Sequence, residues 1–160
     1  MDVTGAPVGG PHGARVLTLA TLAGLGRARR TPAAPDRLPI PAGMHLPLGC
    51  DAVAVPAALG AQLMPRLPRV GCVYADRAHW WWIVPADSDV ALEWPAPARY
   101  TAGAVVTRRP HGPGASPGPG PVELIHRPHG TLPYTPPIPL YLALCRVTGA
   151  TPAWSRPLSA

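Results

Sequence analysis

The clearest pattern of apolar and polar positions lies between Val70 and Val84. Val70 to Tyr74 reads as a strand, Ala75 to Ala78 as a polar turn and His79 to Val84 as a second strand, which predicts a β-hairpin. Side chains alternate across a strand, so Trp80 and Trp82 share one face while Trp81 and Ile83 share the other. Tryptophan on both faces needs cover on both, which places this strand at the centre of a sheet. Pro85, with no amide to donate, ends it. Upstream, Cys50–Val55 alternates weakly and carries β-branched Val53 and Val55, so it reads as a strand. Pro56 suits a first helical position. Leu59, Leu63 and Leu67 recur four residues apart, and Pro65 should stop the helix near Met64, leaving Leu59 and Leu63 to pack on the sheet.

Two more strands are expected downstream, at Tyr100–Thr107 and Val122–His126. Between them, residues 108–121 form a Pro/Gly-rich loop that buries nothing. Pro139–Val147 is apolar almost all round and predicts a buried helix closed by a left-handed Gly149. Residues 1–14 are Gly- and Pro-rich and are expected to lack regular structure. Val16–Arg30 reads as a short helix weakened by Gly24 and Gly26, and residues 31–41 as a proline-rich linker. No internal repeat is visible. The expected fold is therefore α+β: a small mixed or antiparallel sheet with a central Trp-rich hairpin strand and two or three packing helices. One domain spans 38–150, after a largely disordered or partly helical segment 1–37 and before a tail 151–160.

Composition changes this picture in two ways. A chain of 160 residues supports one core, and 25 Pro with 17 Gly leave much of it outside regular elements. All basic residues are Arg, with no Lys, Asn or Phe; codon bias in a GC-rich genome accounts for that and weakens any claim that Arg was selected for phosphate. Charge is unevenly spread: residues 1–50 carry +3, 51–100 carry −1 and 101–160 carry +4, for a net +6. Basic flanks attract nucleic acid or another polyanion, and Arg108, Arg109 and Arg127 are the candidates for phosphate contact.

Cys50, Cys72 and Cys145 are far apart and lack zinc-ligand spacing, so they read as buried thiols in a reducing compartment. No apolar run approaches the roughly 20 residues that span a bilayer. Val16–Leu25 resembles a signal-peptide core, but Asp2 precedes it and Arg27, Arg29 and Arg30 follow where small residues would be cleaved. A cytoplasmic protein without a membrane partner is expected.

Candidate chemistry is sparse. A hard cation at Asp51 would need a second carboxylate nearby, and position 53 is Val53; a solvated or capping role is favoured. His79 heads the tryptophan strand, where it either contacts a phosphate or merely exits the turn. Asp87 and Asp89 lie in a turn whose backbone such residues commonly bond, and Glu93 follows. His126 and His129 have a metal-ligand spacing, but Pro128 and Gly130 exclude a helix and no third ligand is apparent. No confident catalytic residue, metal or cofactor emerges from these residues, and divalent metal is not expected.

Several pieces in order resemble another group of proteins. Cys50-Asp51-Ala52-Val53-Ala54-Val55 is followed by Pro56 and a small-residue helix containing Gly60. The hairpin then ends in His79-Trp80-Trp81-Trp82-Ile83-Val84-Pro85. The strand Ala104–Thr107 leads to the Pro-rich loop, and Leu132-Pro133, a proline cluster and an apolar helix close the chain. Over about residues 38–150 this resembles short actinobacterial proteins related to the N-terminal domain of bifunctional DNA primase–polymerases. The resemblance implies metal-dependent nucleotide addition, with Asp51 at the first acidic position, His79 at the histidine and Glu93 at the last acidic one. The second acid falls at Val53, and Arg77-Ala78 replaces the glycines before the histidine. A two-metal clamp needs the missing carboxylate. The implied protein is a degenerate primase/polymerase-like domain binding DNA or a nucleotide without robust catalysis. The alternative is a protein-interaction module with no nucleic-acid role.

Overall fold

The computed structural model describes residues 36–106 and 120–154. The segments read above as an N-terminal helix at 16–30, an irregular 1–14 and most of the 108–121 loop, with Arg108 and Arg109, lie outside the described residues.

Among the described residues seven strands and two α-helices follow one another: β1 (Asp36–Arg37), β2 (Asp51–Pro56), α1 (Ala57–Leu63), β3 (Val73–Ala75), β4 (His79–Val84), β5 (Arg99–Thr101), β6 (Val105–Val106), β7 (Glu123–His126) and α2 (Pro137–Thr148). Five strands form one antiparallel sheet in the order β5-β2-β4-β3-β7, while β1 and β6 pair separately. The tryptophan strand β4 is central, as its two-faced apolar pattern requires. The fold is α+β.

The two faces of the sheet have different cover. Val53, Val55, Val73, Trp82 and Val84 face the helices and pack with Leu63 of α1 and Leu140, Ala143 and Leu144 of α2. Ala52, Ala54, Cys72, Tyr74, Trp81 and Ile83 face the other way, against Leu38, Ala104, Val106 and Tyr134. The alternation read from β4 therefore sets both cores. Gly60 sits in α1 because Trp80 lies on it: a Cβ there would stand 2.5 Å from the indole ring. The cost of an interior helical glycine, about 1 kcal/mol, is offset by the ring that fits. The first amide of α1, Ala57, donates to the Ala78 carbonyl of the hairpin turn at 2.9 Å. Asp76 Oδ1 accepts from the Ala78 and His79 amides, each at 2.7 Å, which closes that turn.

Four local expectations change. The single strand expected at Tyr100–Thr107 is two, β5 and β6, because the chain turns at Gly103 (φ 66) and Ala104 (φ 52). Residues 36–37, inside the expected linker, pair with β6. The helix α2 is not buried all round: Ile138 and Leu142 are 52% and 42% exposed, one helical stripe facing away from the core. Residues 151–154, expected as a tail, dock on α2, where the Tyr141 hydroxyl donates to the Ala153 carbonyl and accepts from its amide. Gly149 caps α2 at φ 72 with its backbone N–H on the Cys145 carbonyl.

Candidate functional site

Asp51 begins β2 and is buried, so of the solvated or capping role expected for it the solvated one does not hold, while its carboxylate does bond backbone amides. Burying a carboxylate costs free energy unless donors surround it, and here they do. Oδ1 accepts from the Gly103 amide at 2.6 Å. Oδ2 accepts from the Asp87 amide at 3.0 Å and from the Tyr100 hydroxyl. That hydroxyl accepts in turn from the Ser88 amide at 2.9 Å. Burial and the bond to Asp51 push the Tyr100 phenol far above its ordinary range, so it stays a donor. The carboxylate thus binds the 86–91 turn to the break between β5 and β6. It also steadies Asp87, a non-glycine residue at φ 60.

This arrangement does not fit a catalytic cation. Asp51's oxygens are engaged by protein donors, and Val53, at the second acidic position, is fully buried among apolar side chains. Among the described residues no three His, Cys, Asp or Glu side chains gather to hold a metal ion.

The candidate residues do not converge. In the β2–β4 pair Asp51 stands opposite Val84, while His79 stands opposite Pro56 at the other end. Five residues of strand separate the two levels, about 17 Å. His79 is half-buried; its Nε2 lies 3.3 Å from Nη2 of Arg99, and its ring is 5.9 Å from that of Trp81. Glu93 is exposed beside the Leu92–Tyr141–Cys145 cluster, within electrostatic reach of the Tyr141 hydroxyl. Arg127 is exposed and donates to the Ala42 carbonyl at 2.8 Å.

Cys72 and Cys145 are buried free thiols and Cys50 is half-buried. Burial raises the Cys50 and Cys72 thiols, and neighbouring Asp51 adds to the rise at Cys50. Neither is an activated nucleophile.

A different cluster is open. The loop Leu67–Val70 before β3 and the chain from His126, at the end of β7, to Gly130 border an open surface cavity of about 360 Å³, lined by Leu67, Pro68, Arg69, Val70, His126, Pro128, His129 and Gly130. His126 is held from within: Nδ1 donates to the Gly71 carbonyl at 2.7 Å. Gly71 is itself fixed, since a Cβ there would stand 2.1 Å from the Pro133 carbonyl oxygen. The sequence offered His126 and His129 as a pair. It gave no sign of Arg69, which lines the same cavity because β3 and β7 are neighbours.

No protein family, no functionally characterised protein and no solved structure matches this chain.

Proposed function

We propose that this protein is a non-catalytic, cytoplasmic domain that binds nucleic acid by charge, a primase/polymerase-like scaffold whose first acidic residue has become a structural one. The observation that carries the binding reading is where the charge lies. Residues 51–100 hold four Arg against five carboxylates and carry −1. Residues 1–50 and 101–160 hold the other ten Arg against three carboxylates and carry +3 and +4. Such a distribution leaves the middle of the sequence near neutral and makes its two ends the attraction for phosphate, which is bound largely without regard to base sequence. Catalysis is left out because Asp51 is committed to holding turns and stands far from His79.

The test is a mobility shift with single- and double-stranded DNA at two salt concentrations. Binding at low salt should fall by about 10³-fold between 50 and 200 mM if some six phosphates are contacted. Arg108→Ala with Arg109→Ala should weaken all sequences alike. No binding at low salt removes this reading. A second reading would then stand on the outer edge of β7, where Leu124 and Ile125 are 39% and 43% exposed. A strand edge unpaired among the described residues, with adjacent apolar side chains, suits an extended peptide of a protein partner. Among the described residues no helix is long and apolar enough to cross a membrane.

A further inference from the structure

We propose that the cavity between the Leu67–Val70 loop and the His126–Gly130 turn is a binding site for a phosphomonoester. The site goes beyond the electrostatic reading above, because it uses different residues and a shaped cavity rather than flanking charge.

The sign of the ligand follows from the lining. Its three ionisable side chains, Arg69, His126 and His129, are all basic, and no carboxylate lines it. In a described region with as many carboxylates as arginines, a cavity holding only the basic kind selects an anion. A cation is disfavoured on the same evidence of chemistry: two histidines offer too few ligands, and a guanidinium beside them repels a metal.

The kind of anion follows from the donors. Because a carbonyl only accepts, the 2.7 Å contact with the Gly71 oxygen puts a proton on His126 Nδ1. Nε2 is left as the ring's free nitrogen. It accepts from a P–OH when neutral and donates to a P–O⁻ when protonated, a versatility that suits phosphate more than a fully ionised sulfonate. Arg69 offers a planar fork that matches two phosphate oxygens, and His129 lines the same cavity. A monoester presents three terminal oxygens to three basic side chains, whereas a carboxylate presents two and a bridging diester only two.

Size and rigidity point the same way. About 360 Å³ falls in the range of small-molecule sites and exceeds what a bare phosphate fills. Leu67, Pro68, Val70 and Pro128 supply apolar wall for the organic group that the phosphate carries. Pro68 and Pro128 fix φ on both walls and His126 is held to Gly71, while the exposed Arg69 and His129 side chains are the parts a ligand would order.

The test is a proton NMR titration of the full chain with phenyl phosphate, following the ring resonances of all histidines. His126 and His129 should shift and saturate, while His45 and His79 stay still. Arg69→Ala should weaken the saturation by at least about 10-fold, the worth of one charge-assisted phosphate contact. His129→Gln, at an exposed position, should weaken it as well and guards against one variant misleading. Shifts that follow ionic strength and are reproduced by sodium chloride, or that both variants leave unchanged, overturn the proposal. Competition by a 5′-phosphorylated oligonucleotide and not by its 5′-hydroxyl counterpart assigns the monoester to a nucleic-acid end. Displacement by neither assigns it to a free small molecule. Arg108→Ala with Arg109→Ala should leave the phenyl phosphate titration unchanged, so this site and the flanking-charge reading fail separately.

Discussion

Two regions gather polar side chains, and they use them in opposite ways. At Asp51 a buried carboxylate accepts from two backbone amides and a tyrosine hydroxyl. At the His126 cavity, one ring nitrogen is tied to the backbone while its partner nitrogen, His129 and Arg69 line open space. The first region resembled a catalytic position in sequence and has spent its polarity on the fold. The second offered only a pair of histidines and has polarity left over. The residue type at a position therefore says less about function than whether its hydrogen-bonding capacity is already consumed.

The sharpest way to break this contrast is to remove each side chain in turn. Asp51→Ala leaves the Gly103 and Asp87 amides and the Tyr100 hydroxyl without their acceptor. The expected loss is about 3–5 kcal/mol in urea unfolding, since each stranded buried donor costs roughly 1–3 kcal/mol. Arg69→Ala, at an exposed cavity wall, should stay within about 0.5 kcal/mol of the parent. Equal effects would mean that the two regions do not differ as described.

A smaller effect comes from the core that holds both regions. Gly60→Ala forces a methyl to within 2.5 Å of Trp80, so the ring must move. A loss of about 1–3 kcal/mol is expected, the reverse of the gain that alanine brings to an exposed helix. A thermal melt that is unchanged or raised would show that Trp80 does not rest on α1.

The smallest effect is a pH dependence on the sheet face away from the helices. Tyr74 donates to the Pro39 carbonyl, and its phenol is pushed up to about 12, chiefly by burial and further by Cys72. A phenol with a raised folded-state pKa contributes stability that is complete below its ordinary value of 10.0 and is lost as pH rises through about 12. Unfolding measured across that window should steepen in the parent and flatten in Tyr74→Phe. Tyr100, whose phenol is also raised, adds a like slope across the same window in both proteins, so the difference between parent and Tyr74→Phe isolates Tyr74.

Much of the fold could be read from short-range pattern. The hairpin, β2, α1 and the Gly149 cap each depend on residues within a few positions of one another, where periodicity and proline placement speak directly. What escaped depends on distance. The burial of Asp51 and the identity of its donors escaped because those donors, at 87, 100 and 103, lie 36 to 52 positions away. The break at Gly103–Ala104 escaped for the same reason, since an apolar run there reads as one strand until the carboxylate that bends it is known. At the cavity, His126 and its anchor Gly71 are 55 positions apart, so no local motif joins them. The outward stripe of α2 escaped differently: apolar residues on every side give no periodicity to read, and only the sheet decides which side is covered.

The Pro133–Thr135 segment has a consequence for how the chain assembles. It lies across the start of β3 and the end of β4: Cys72 donates to the Pro133 carbonyl, Gly71 to Thr135 Oγ1, and Thr135 to the Ile83 carbonyl. These bonds join residues 52 to 64 positions apart, and the loop-closure entropy must be met before any of them forms. The hairpin, by contrast, closes over a few residues. In kinetic terms the hairpin is an early, local event and the 133–135 strap a late, non-local one, the kind of contact that slows folding. Because His126 is anchored to the same Gly71 that the strap bonds, the histidine wall of the cavity and this non-local strap depend on one residue.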